Sequence, residues 1–253
     1  EFSEFSTPVP PKHQLPTILL NEDDNWDAGF REGKSIDGGD VYSIAINGGD
    51  TYIAGSFGKV GTIAAQNIAR WNSKTQSWHT LGAGIEGVVT GIAVKGRQVF
   101  VCGIITKAGN VKVGNVAMWD EDTQTWSSLG TGIPSGLVKT VCVAGNDVYF
   151  GGFFSTTFGT NIAQRSSSTK QWIPMNGKTD GIVAAIVFHK NELFIGGKFN
   201  TAGNIKVDHC VRYNVLSSTW LPMSKGVNNA VTSFAVAGDS IIVGGRYAAV
   251  NDG

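Results

Sequence analysis

The sequence predicts an all-β chain folded as a five-bladed propeller, with four antiparallel strands per blade. Two observations predict it. A strand-rich unit recurs five times, as VYSIAINGGDTYIAGSF (41–57), VTGIAVKGRQVFVCGII (89–105), VKTVCVAGNDVYFGGFF (138–154), VAAIVFHKNELFIGGKF (183–199) and VTSFAVAGDSIIVGGRY (231–247). A second unit follows each of the first four copies, marked by Trp78, Trp126, Trp172 and Trp220 at steps of 48, 46 and 48. A repeat of this length built from strand patterns belongs to propeller arrays rather than helical solenoids. No segment combines helical periodicity with capping residues.

Each repeat parses into four strands. The first alternates around Val41, Ile44 and Ile46, and the tight turn Asn47–Asp50 leads into the second. The second ends in Gly-Gly or Ala-Gly plus a nearby aromatic, as in Gly197-Lys198-Phe199. The third covers Ile68–Trp71 and the fourth Trp78–Leu81, joined by the polar turn Asn72–Ser77. The glycine pairs precede no helix, so they do not form a phosphate cradle; they mark close backbone approach. First-strand positions Ser43, Gly91, Thr140, Ala185 and Ser233 are all small, as a crowded axis requires, with Lys139 the one charged exception.

The fifth repeat stops at Gly253, after its second strand. In full repeats the aromatic after the glycines precedes the fourth-strand Trp by 21 residues, as from Phe57 to Trp78. Six residues follow Tyr247, and residues 12–25 supply the missing 14 before Trp26. The expected organisation is an extended tail over 1–11 and one propeller domain over 12–253. N-terminal strands in 12–30 would complete the last blade and close the ring, which removes free sheet edges.

Composition narrows the function. Twenty Lys+Arg balance twenty Asp+Glu over 253 residues. That argues against nucleic acid as a partner. No apolar run approaches the ~20 residues of a spanning helix, so membrane insertion is not expected. Cys102, Cys142 and Cys210 are an odd set; Cys102 and Cys142 lie in apolar strands and read as inert core thiols. Residues 1–11 lack the basic and apolar regions of a signal peptide, although a processed exported chain looks the same. Low charge with abundant Thr, Ser, Asn and Gly favours a secreted or cell-surface protein, against which stand the odd cysteine count and the lack of an Asn-x-Ser/Thr acceptor.

The pattern GGxFxxAGN…VxxWxxxTxxWxxLGxG, seen over Gly103–Gly132 and Gly196–Gly226, resembles kelch and galactose-oxidase-type propeller repeats. It is most similar to the divergent repeats of fungal cell-surface landmark proteins and bacterial secreted repeat proteins. The resemblance covers residues 12–253 and implies a propeller, a fold that hosts binding, scaffolding and enzymatic roles. The copper site of galactose oxidase is not implied: His13, His79, His189 and His209 lack ligand spacing, and no metal or cofactor is expected.

Propeller connectivity sorts the loops onto two faces. The top loops carry ten basic residues, Lys59, Lys107, Lys112, Lys178, Lys198, Lys206 and Arg246 among them, against six acids. The bottom turns hold five basic residues against ten acids, including Asp120, Glu121 and Asp122. A basic top rim attracts anionic groups. The candidate ligand-binding residues are Lys59, Lys107, Lys112, Lys198, Lys206 and Arg246, with Phe158 from the shortened loop of the third repeat. Fourth-strand Trp residues read as blade-to-blade core, and Trp71 and Trp119, with Arg165 and Tyr213 at the equivalent third-strand positions, read as outer blade packing. Phe57, Phe154, Phe199 and Tyr247 read as core or ligand platform.

No catalytic residue is assigned. Inner strands carry no converging acids; Asp40 stands at a strand entrance, and Asp37, Glu86 and Asp180 lie in inter-blade loops. His209 and Cys210, read as neighbours on one strand, point to opposite faces. The expected function is a non-enzymatic recognition or scaffold module, a lectin-like set of sites or a protein-docking face, probing a protein or glycan. The propeller is expected to be monomeric within a longer polypeptide. The alternative is a five-bladed glycoside hydrolase or related carbohydrate-active enzyme.

Overall fold

The structure is a computed structural model that describes residues 36–250. The predicted closing strands in 12–30, with Trp26, lie outside the described residues. Among the described residues every regular element is a β-strand.

The first repeat forms a sheet of Asp40–Asn47, Asp50–Ser56, Ile68–Asn72 and Ser77–Thr80, paired in that order. The second repeats this with Ile85–Lys95, Gln98–Ala108, Val116–Asp120 and Thr125–Ser128, plus the short strand Val111–Lys112. The third uses Leu137–Ala144, Asp147–Thr156, Gly159–Ser166 and Trp172–Ile173; the fourth uses Ile182–His189, Glu192–Lys198, Cys210–Asn214 and Thr219–Pro222. The fifth contributes the hairpin Val231–Ala237 and Ser240–Gly245. All pairings are antiparallel, as the alternating patterns require.

Two-residue turns join the first and second strands, each opened by a left-handed residue: Gly48, Gly96, Gly145, Lys190 or Gly238. Such turns match the twist of a hairpin. Every first strand slips register at the same place, between Val41/Ser43, Val89/Gly91, Val138/Thr140, Val183/Ala185 and Val231/Ser233, and that of the second repeat slips again between Glu86/Gly87. The slip explains the recurring glycine. A Cβ at Gly55, Gly103, Gly152, Gly197 or Gly245 would collide with the carbonyl of Asp40, Val88, Leu137, Ile182 or Ala230.

The core lies between sheets rather than within one. Ile68, Leu81, Ile92, Val101 and Trp119 fill the wedge between the first two repeats. Phe100, Leu129, Val141 and Phe150 fill the second, and Tyr149, Ile186, Ile195 and Val211 the third. Trp126, Trp172 and Trp220 each reach back to the preceding repeat. The Trp126 indole N–H donates to the Leu81 carbonyl at 2.8 Å and that of Trp172 to Leu129 at 3.0 Å. The blade-to-blade reading of these residues agrees with this geometry.

Candidate functional site

The register slip leaves Tyr42, Thr90, Lys139, Ala184 and Thr232 without a cross-strand partner, and all five line one central cavity of about 610 Å³. A bulge re-aims a side chain, and here the same bulge does so in every repeat. Ser43, Gly91, Thr140, Ala185 and Ser233 line it too, so first strands from all five repeats contribute to its wall. Lys139 is the charged residue on its wall.

The top face is less regular. The residue after the recurring glycine is Ser56, Ile104, Phe153, Lys198 or Arg246 in successive repeats. Ile104 and Phe153 are exposed apolar side chains on adjacent repeats, whereas the next two supply cations. One part of this face is therefore greasy and another basic.

The predicted rim residues are distributed unevenly. Lys59 pairs in register with Asp37, and Lys107 with both Glu86 and Lys112. Like charges directly opposite on a ladder repel. Glu86 relieves this, accepting from Lys107 Nζ at 2.8 Å and Thr106 Oγ1 at 2.9 Å. The hydrogen bond from Lys107, then that from Thr106, holds the Glu86 carboxyl below its usual range. Lys107 is thus neutralised locally. Lys206 stands opposite Thr201 in a separate hairpin, Lys198 opposite Ile182, and the Arg246 amide bonds the Ala230 carbonyl. Phe158 is half-buried and stacks on Trp172, ring centroids 4.4 Å apart and planes at 11°. Phe57, Phe154 and Phe199 are buried core residues.

A cleft of about 570 Å³ opens between the third and fourth repeats. Phe153, Ser155, Thr160 and Asn161 line one side, Lys178, Thr179 and Asp180 the other. Phe153 is 62% exposed. Burial pushes the Asp180 carboxyl up, but the Thr201 and Asn200 amides and the Thr201 hydroxyl outweigh it, leaving the group below its usual range. Asp180 Oδ1 accepts those two amides at 2.9 and 2.8 Å. Charge in this cleft is balanced, and its aromatic wall is open. Sequence reasoning missed Phe153; the available signal was a second aromatic where the other repeats have Ser, Ile, Lys or Arg.

The sequence reading of His209 requires correction. The fourth-repeat strand begins at Cys210, and His209 precedes it in a left-handed conformation, φ 65°. Its Nδ1 is buried without a hydrogen-bond partner. Cys102, Cys142 and Cys210 are free and buried. Burial raises the first two thiols to about 12, and burial with the Asp208 charge raises Cys210 to about 11. None is a poised nucleophile.

Residues 32–150 match the family model of the Rax2 C-terminal beta propeller domain. No curated protein matches the chain. Among solved structures it is similar to two computationally designed proteins. The Ika8 structure shares 17% identity over 83% of this chain and 70% of that one, TM-score 0.47. The Ika4 structure shares 18% over 64% of this chain and 88% of that one, TM-score 0.46. The family match and the repeated antiparallel sheets together identify a β-propeller repeat protein.

Proposed function

We propose that this protein is a non-enzymatic recognition module that docks a protein or glycan ligand on its top face. The observation that carries the reading is the open cleft beside Phe153, with Lys178 and Asp180 across from it. Exposed aromatic surface next to a few directed polar groups is the usual composition of a binding site. Lys59, Lys107, Lys112, Lys198, Lys206 and Arg246 lie outside the lining of this cleft and are proposed as further ligand contacts on the same face, with Phe158, which stacks on Trp172, as another. Repeat-to-repeat variation favours one asymmetric site over five equal, lectin-like ones. Support against the glycosidase alternative comes from the inter-repeat acids. Glu86 and Asp180 are both held below the usual carboxylate range, the opposite of a proton donor's requirement.

The module is a five-bladed ring closed by residues 12–30. Support comes from the cavity shared by all five first strands. Apolar side chains at the two ends of the array add to it: Ile44 is 61%, Ile46 75% and Ile242 57% exposed. It is exported or displayed at the cell surface within a longer polypeptide, a reading supported by the low charge.

A glycan array run beside a pull-down from source cells, at two salt concentrations, tests the ligand. Phe153→Ala should abolish capture without loss of folding. Changing the six rim cations together to Ala should weaken capture and remove its salt dependence. Capture indifferent to both sets overturns the reading, and turnover of an oligosaccharide replaces it with the enzyme.

A further inference from the structure

A buried cation sits where three other repeats place an aromatic ring. The third-strand residue paired with the fourth-strand Trp is Trp71, Trp119 and Tyr213 in the first, second and fourth repeats, and Arg165 in the third. Each aromatic pair is in direct ring contact, at 5.3, 5.4 and 4.9 Å between centroids. In the third repeat Trp172 turns instead to Phe158 and Phe150. The guanidinium therefore replaces a ring without inheriting its packing.

Arg165 is only 8% exposed, and its Nε has no hydrogen-bond partner. No carboxylate lies within ion-pair distance of it among the described residues. Burial lowers its pKa, with no acid opposing the shift. A buried charge is normally paired, because leaving water costs several kcal/mol per ion (roughly, after relaxation). The side chain lines a cleft of about 300 Å³ between the second and third repeats. Ser167 lines the same cleft, and its hydroxyl is a second buried, unpartnered polar atom. Lys170 adds another cation. Facing them is a single acid, Asp120, whose Oδ1 already accepts the Asp122 and Thr123 amides at 2.9 and 3.0 Å.

We propose that Arg165, Ser167 and Lys170 form a binding site for a tetrahedral oxyanion, phosphate or sulfate, free or as the ester of a small molecule. Guanidinium donors form a fork that matches such oxygens, and bonds to an ionised acceptor are the strong ones. Ser167 supplies a hydroxyl donor and Lys170 a movable point charge. The cleft lies beside the turns that carry the acid excess of the bottom face, so it is separate from the top-face docking site.

The test is calorimetric titration of the full chain with inorganic phosphate, sulfate and glucose 6-phosphate, against sodium chloride at matched ionic strength. Arg165→Trp restores the aromatic of the other repeats and keeps the slot filled. A Ser167→Ala, Lys170→Ala pair leaves the core untouched. Saturable binding by the wild type should weaken about tenfold or more in both variants, the loss of one or more charge-assisted bonds. Preference for the sugar phosphate over inorganic phosphate would identify an ester, and the reverse a free ion; either supports the site. Binding unchanged in Arg165→Trp overturns the proposal. So does a wild type that shows no saturation with any of the three anions by about 10 mM, the range of weak ligands.

Discussion

Asn115, at φ 61°, donates its side-chain amide to the Ile133 carbonyl at 2.9 Å and so ties the second repeat to the entry of the third. The same side chain accepts the Ile105 amide at 3.1 Å. Asn67 and Asn161 do likewise in their repeats, accepting from Phe57 and Phe154 and donating to Ile85 and Thr179. Asn is among the few residues that tolerate the left-handed region, and its amide carries both a donor and an acceptor.

Asn115→Ala should therefore destabilise the protein by about 2–4 kcal/mol, since it strands buried backbone groups and strains the local conformation. Urea unfolding measures this. A loss below about 0.5 kcal/mol would show that the tie is not a stability element.

His209 holds the same backbone place in the fourth repeat. Its amide bonds the Phe199 carbonyl and its carbonyl accepts the Gly197 amide, as Asn115 does with Ile105 and Gly103. The imidazole leaves Nδ1 unsatisfied. His209→Asn should stabilise by about 1 kcal/mol, raising Tm by about 2–4 °C. Calorimetry with an unchanged or lower Tm contradicts this.

Tyr52 and Glu121 form a buried contact between the first two repeats, with the Tyr52 hydroxyl donating to Oε1 at 3.1 Å and Arg70 donating to Oε2 at 3.0 Å. Burial, then the Glu121 charge, raises the phenol to about 12. A phenol raised on folding supports the native state fully below its unfolded value near 10, and that contribution fades as pH climbs through 12. Stability should fall over this alkaline window, and Tyr52→Phe should flatten part of the fall while costing about 1 kcal/mol at neutral pH. Chemical denaturation at stepped pH reads both.

The proposed ring closure makes its own demand on Ile44, whose neighbour Ala45 packs toward the second repeat. Ile44→Asp should cost about 2–4 kcal/mol if the ends of the array meet across it, through burial of an unpaired charge. Deleting residues 12–30 should abolish cooperative unfolding. Wild-type melting in both variants would refute closure.

The three thiols should resist an aromatic disulfide reagent in the native protein and all react after denaturation, since each is free and buried. Native-state labelling of any one would place that repeat in an open state.

The order of the four main strands and the turn positions were legible in the first four repeats because each repeat restates them. Alternating apolar residues, a Gly- or Asn-containing turn and a Trp at constant spacing are local signals, and repetition averages out their ambiguity. The structure reproduces the predicted Ile68–Trp71 strand within one residue and puts the small residues Ser43 to Ser233 on the central cavity. The bulges were not legible, because a slipped register depends on the partner strand and leaves no mark beyond the glycine it crowds. The surroundings of the candidate site residues were harder to read for a related reason. Counting charges placed Lys107 on a basic rim, but neutralisation by Glu86 arises from cross-strand register. A short loop predicts an exposed Phe158, whereas the structure stacks it on Trp172 in the repeat where Arg165 stands opposite that Trp. Periodicity along the chain determined the sheets; contacts between residues tens of positions apart decided which side chains remain available to a ligand.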